Sequence, residues 1–152
     1  NFFDWLEQAY NIQIVIAAHP RSRYEDHPNY FGKRPVIRGE TAHLIRTSRF
    51  VIAHASTALN FAALFNKPVL FVTTDTLQST FDGQHCNEIA KWFGKTPINL
   101  NLFFKVDLIE ELKVDFVAYT RYKQAYIKTS GSPEKLCWQI VADYLKTQSP
   151  II

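Results

Sequence analysis

Apolar residues recur at helical spacing over the first ten positions, at Phe2, Trp5, Leu6 and Ala9, and then give way to a nearly unbroken apolar run at residues 12–18, IQIVIAA. A run without alternation suits a strand covered on both faces, as parallel strands are. The two patterns then trade places along the chain. Val36 and Ile37 predict a short strand, and Gly39-Glu40-Thr41 opens a helix that turns Ala42, Leu44 and Ile45 inward, with Thr41 or Gly39 as its cap. Residues 50–53 form the next predicted strand, 56–65 a helix that is apolar nearly all round, and 68–72 a further strand. Between the first two strands, residues 24–34 hold Pro28, Gly32 and several charges, which excludes regular structure for most of that stretch.

The second half continues in helices. Cys86, Ile89, Ala90 and Phe93 repeat at helical spacing, Gly94 stops that helix, and residues 97–100 read as one more short strand. Residues 102–113 are mixed, with a helix beginning near Leu108; Phe116, Tyr119, Tyr122 or Lys123, and Tyr126 predict another, closed by Ser130-Gly131. Ser132 as cap, Pro133 at the first position and Glu134 in the first turn predict a final helix burying Cys137, Ile140, Val141, Tyr144 and Leu145. Strands alternating with helices across short connections require right-handed crossovers. The expected fold is therefore α/β: a Rossmann-like, three-layer α/β/α arrangement with a mostly parallel sheet and C-terminal helices packed on it.

Composition narrows this picture without changing it. At 152 residues, with 47% hydrophobic and 20% charged content, the chain is one soluble domain, residues 1–152, with a single core. The net charge of +3 comes from Lys and Arg interspersed with acids, so no nucleic-acid partner is indicated. Cys86 and Cys137 both fall on apolar helical stripes and read as reduced core residues of a cytoplasmic protein. No run is long enough to span a bilayer and no signal-peptide pattern opens the chain. The lack of Met and the start directly on a helical pattern suggest a piece of a longer polypeptide.

The candidate chemistry gathers after the strands. Residues 50–74, FVIAHASTALNFAALFNKPVLFVTT, carry His54, Ser56 and Thr57 just past a strand, and His19-Pro20-Arg21 follows the first strand in the same way. Glu40 and Thr41 open the helix between them. In a parallel sheet all these positions reach the carboxyl edge, where ligands bind. Imidazole, guanidinium and hydroxyl groups at a helix start suit phosphate oxygens, and a carboxylate suits paired ribose hydroxyls. The set does not suit a hydrolytic triad, because no Ser stands on a nucleophile elbow and no acid stands behind either His. No metal site is assigned.

HPR after a strand, Glu at the next helix start, then a strand followed by H-x-S-T, a buried helix, K-P and another strand, resembles the C-terminal, donor-binding half of a GT-B glycosyltransferase. The resemblance is to bacterial surface-polysaccharide enzymes, the capsule and lipopolysaccharide transferases, including sialyltransferases with an HP motif and a Ser/Thr motif. It covers roughly residues 1–74 and fits the remainder only loosely. It implies that His19 contacts the donor phosphate and assists departure of the nucleotide. It also implies that Ser56 and Thr57 hold the same phosphate, that Glu40 binds the ribose, and that Arg21, Thr41 and His54 line the pocket. The implied ligand is a nucleotide-sugar, CMP- or UDP-linked, bound as substrate with no cofactor. An N-terminal acceptor domain of the same polypeptide, absent here, is the implied partner, and the parent enzyme would associate peripherally with the inner face of a bacterial plasma membrane.

Plainer roles exist for the same residues. His19 also reads as a strand-end turn residue, Ser56 and Thr57 as helix caps, Glu40 as a first-turn acid, Arg21 and Arg23 as a solvated loop pair, His54 as a structural histidine and His43 as a surface residue. Tyr119, Tyr122 and Tyr126 read as packing rather than as a sugar platform. Two other functions fit the inventory: a nucleotide or phospho-sugar binding domain without catalysis, and a GT-B-like epimerase or CDP-alcohol phosphotransferase.

Overall fold

A computed structural model describes residues 1–27, 30–102 and 106–148. Pro28 and part of the mixed stretch at residues 102–113 lie outside the described residues. The elements are, in order, α1 (Phe2–Tyr10), β1 (Ile16–Ala18), β2 (Val36–Arg38), α2 (Thr41–Thr47), β3 (Val51–Ala53), α3 (Leu59–Leu64), β4 (Val69–Thr73), α4 (Asp75–Gln78), α5 (Phe81–Trp92), β5 (Ile98–Asn99), α6 (Leu108–Glu111), α7 (Phe116–Tyr126) and α8 (Cys137–Gln148), with a 3-10 turn over Tyr24–Asp26.

Every strand pairing is parallel. β1 pairs β2 with Ala18 opposite Arg38; β3 pairs β4 with Ala53 opposite Phe71, and β4 pairs β5 with Thr73 opposite Asn99. β4 is the most deeply enclosed strand, its Val69, Leu70 and Phe71 each at 2% exposure or less. Alternate residues of that strand feed two cores, as the period of two demands. Val69 and Phe71 pack with Ile45 of α2, Leu59, Ala62 and Ala63 of α3, Cys86, Ala90 and Phe93 around α5, and Tyr119 and Tyr122 of α7. Leu70 faces the other way, into a cluster with Leu6 of α1, Ile14, Val106 and Leu108, against which Ile16, Ile52 and Val72 also pack. Because that second cluster takes in side chains of β1, β3 and β4, the two strand groups lie under the same helix layer. The molecule is thus a Rossmann-like α/β/α sandwich, as the alternating pattern predicted.

Local chemistry explains the boundaries. Asn1 caps α1 by accepting from the Asp4 N–H at 3.0 Å, and Asn11 ends the helix in the left-handed region at φ 47°. Arg34, its side chain 6% exposed, ties the loop before β2 to α1 through Asp4 (2.5 Å) and Glu7 (2.7 Å). Thr74 and Thr80 cap α4 and α5. The short helix α4 was not expected from the sequence.

Three expectations need correction. The first strand pairs only over Ile16–Ala18, because its hydrogen bonding begins where the Ile16 N–H meets the Pro35 carbonyl at 2.8 Å. The last helix starts at Cys137, not at Ser132-Pro133, and buries nothing. Trp138 is 80% exposed, Tyr144 62% and Leu145 58%, so Cys137, Val141, Tyr144 and Leu145 form an apolar stripe on the surface and Cys137 is no core residue. Of the C-terminal helices, α6 reaches the core through Leu108 and α7 through Tyr119 and Tyr122, whereas α8 does not. Tyr119 and Tyr122 are buried there in aromatic contact with Phe93, while Tyr126 is exposed.

Candidate functional site

His19 is the first residue past β1, and Glu40 lies just past β2. The parallel register sets these two positions side by side on one sheet edge. The turn after His19 is closed by its own hydrogen bonds. The Arg21 N–H donates to His19 Nδ1 (3.1 Å), and the Ser22 N–H and hydroxyl both donate to the His19 carbonyl (2.9 and 2.7 Å). From the neighbouring strand, Arg38 Nη1 donates to the Pro20 carbonyl at 2.7 Å. The sequence reading missed Arg38. The available signal was its place at the end of a short strand that parallel pairing sets beside the HPR turn.

His54 repeats the arrangement at the end of β3. It is exposed, and its Nδ1 accepts from the Ala55 N–H at 2.7 Å. A ring nitrogen that accepts carries no proton, so in the neutral form both rings hold their proton on Nε2. Each therefore offers one N–H donor on the side of the ring away from the backbone.

Ser56 and Thr57 are not caps of a helix beginning at Ser56. The chain first makes a turn in which the Leu59 N–H donates to the Ser56 carbonyl (3.1 Å) and the Asn60 N–H to that of Thr57 (3.2 Å). Ser56 Oγ accepts from the Ala58 N–H at 3.1 Å, and α3 then runs for six residues from Leu59. So short a helix offers little aligned dipole, and the two hydroxyls are left as local donors rather than as parts of an anion site at a helix end. At β2 the expected cap also moves. Gly39 takes a left-handed backbone at φ 83°, Glu40 occupies the cap position with no side-chain bond to the helix, and Thr41 is the first helical residue. The Glu40 carboxylate is thereby not consumed in capping.

The structure thus brings His19, Arg21, Arg38 and Glu40 to one pair of strand ends, and His54, Ser56 and Thr57 to the end of β3. His19, Arg21, Glu40, His54, Ser56 and Thr57 are all exposed, and Thr41 is half-buried. Concave surface of another kind lies on the helices. A depression of about 260 Å³ is lined by Glu88, Lys91, Trp92 and Arg121, and one of about 440 Å³ by Phe116, Val117, Thr120, Arg121 and Gln124. Both are open hollows between helix side chains and hold none of the strand-end groups. Among the described residues, no three His, Cys, Asp or Glu side chains gather as a metal-ligand group.

No family model, curated protein or solved structure matches this chain. Its chemistry is therefore read from its own residues. The β1 and β2 ends carry one imidazole N–H donor, guanidinium groups and a carboxylate not used in capping, and the β3 end carries a second imidazole N–H donor and two hydroxyls.

Among the described residues no helix is long and apolar enough to cross a membrane.

Proposed function

We propose that the carboxyl ends of the parallel strands bind the nucleotide of a nucleotide-sugar donor, as part of a glycosyltransferase of bacterial surface-polysaccharide synthesis. The observation that carries this reading is the shared setting of His19 and His54. Each is the first residue past a parallel strand, and each accepts a backbone N–H on Nδ1, so that Nε2 is the donor left for a ligand. Two neutral N–H donors, joined by Arg21, Ser56 and Thr57, match the oxygens of a phosphate, and Glu40 matches a ribose diol.

In this reading His19 stabilises charge on the departing phosphate by a hydrogen bond donated from Nε2, while Ser56 and Thr57 donate to the remaining oxygens. The acceptor hydroxyl and its base belong to a further domain of the same polypeptide. Without that wall the edge stays open to water, so the isolated chain binds donor weakly and transfers no measurable sugar.

A thermal-shift series against CMP, CDP, UDP and GDP tests the reading, with His19→Ala and Ser56→Ala alongside. One nucleotide class should raise the melting temperature by mass action and lose that effect in both variants. A wild-type chain unmoved by every nucleotide at millimolar concentration, or an isolated chain that transfers sugar robustly, overturns it.

A further inference from the structure

The edge at the end of β3 continues over its neighbours β4 and β5, and three polar residues there are hydrogen-bonded to one another. Asp75, the residue after Thr74, has its N–H donating to Asn101 Oδ1 at 2.9 Å. Asn99 Nδ2 donates to Asp75 Oδ1 at 2.6 Å, and the Asn101 N–H donates to Asn99 Oδ1 at 3.0 Å. The Leu100 N–H adds a bond to the Thr73 carbonyl at 2.8 Å, extending the parallel register of Thr73 opposite Asn99. Asp75 and Asn101 come from segments 26 residues apart, yet meet at neighbouring strand ends.

These bonds are exposed, and exposed polar bonds contribute little to stability. What they do is fix the groups they leave over. Asp75 Oδ2 remains as an acceptor, and Asn101 Nδ2 remains as a donor because its Oδ1 is already engaged. A fixed carboxylate oxygen beside an amide N–H matches a vicinal diol, in which each hydroxyl both donates and accepts. It does not match a phosphate group, which the Asp75 carboxylate repels. β4 pairs β3, so this constellation is next along the edge from the turn of His54, Ser56 and Thr57.

We infer that Asp75, Asn99 and Asn101 form a carbohydrate-hydroxyl subsite, which receives the sugar of the donor whose phosphate the β3 turn holds; this rests on the proposed donor-binding reading. Glu40, just past β2, is then left for the ribose.

The test compares nucleotide-sugars with their parent nucleotides, CMP-N-acetylneuraminate against CMP and UDP-N-acetylglucosamine against UDP, by calorimetric titration of the whole chain. Asp75→Asn keeps the bond from Asn99 Nδ2 and the shape while removing the charge, so folding is not at stake. It should weaken the nucleotide-sugar about tenfold and the bare nucleotide less than about twofold. Ser56→Ala should weaken both equally. An unchanged ratio of the two affinities in Asp75→Asn overturns the subsite while leaving the phosphate site standing. If the wild type binds no nucleotide, the donor reading fails by itself. The subsite is then read from the Asn99 and Asn101 side-chain amide signals during titration with free N-acetylglucosamine and N-acetylneuraminate. Movement in the wild type that Asp75→Asn abolishes supports it, and still signals with both sugars overturn it.

Discussion

Arg38 Nη1 donates to the Pro20 carbonyl at 2.7 Å, joining the ends of two parallel strands over the HPR turn. With the Arg21 N–H on His19 Nδ1, it sets both the position and the tautomer of the ring. Arg38→Ala should therefore weaken nucleotide binding about five- to tenfold while costing less than about 1 kcal/mol of stability. The ring itself gives the check. The ¹⁵N signals of His19 should move toward an even mixture of tautomers, which a general loss of stability would not produce. Arg38→Lys, able to reach one carbonyl, should restore part of the effect.

A second arginine governs stability rather than the site. Arg34 bonds Asp4, Glu7 and the Phe31 carbonyl (3.0 Å), and its guanidinium lies 5.3 Å from the centre of the Phe3 ring. Arg34→Ala should lower stability by about 1–3 kcal/mol in urea unfolding, since it strips the partner from two carboxylates and empties a packed position. The hydrogen bond from Arg34 holds the Glu7 carboxyl below its usual range, and the N-terminal ammonium followed by Arg34 does the same for Asp4. Groups with depressed folded pKa values contribute stability that is present above their unfolded values and lost as pH falls through the folded ones. The stabilisation is thus complete above about pH 5 and fades below about pH 4, and Arg34→Ala should flatten that acid limb.

Gly83 sits in the first turn of α5 against the end of α4. A Cβ there would fall 2.1 Å from the Leu77 carbonyl oxygen and 2.6 Å from the Gln78 Cα, both backbone. No rotamer relieves that approach. Gly83→Ala should cost about 1–3 kcal/mol in thermal or urea unfolding, although alanine is the better helix former.

Tyr119 is 1% exposed and donates its hydroxyl to the Lys67 carbonyl at 2.8 Å, just before β4. Tyr119→Phe should cost about 1 kcal/mol, because the carbonyl loses its donor while the ring stays. Burial raises the phenol pKa far above its ordinary value. The unfolded phenol ionises first, so this contribution to stability is intact below about pH 10 and lost above it. Unfolding midpoints measured at pH 9 and pH 11 should therefore separate more in the wild type than in Tyr119→Phe.

The β/α alternation was legible in the sequence because parallel strands need continuous apolar runs and their covering helices need a stripe. Strands β1 to β5 and helices α1, α2, α5, α6 and α7 follow from it directly. What misled was the stripe at α8: amphipathic spacing says that one face of a helix is apolar, but not that anything covers it. The placement of the candidate residues was half legible. Residues past strand ends can be named from the pattern, and His19, Glu40 and His54 do lie there. Arg38 and Asn101 were not, because each acts through a partner on another strand end, and pairing between distant segments leaves no trace in local spacing. The turn at Ser56 was misread since i to i+3 bonding and an α-helical first turn share the same residues.

Among the described residues, every buried member of either core precedes Lys123, the last being Tyr122. Neither buried cluster therefore takes a residue from α8. Helix α8 is in this sense a passenger of the fold. Its sequence is free to answer to demands other than those that hold the sandwich together.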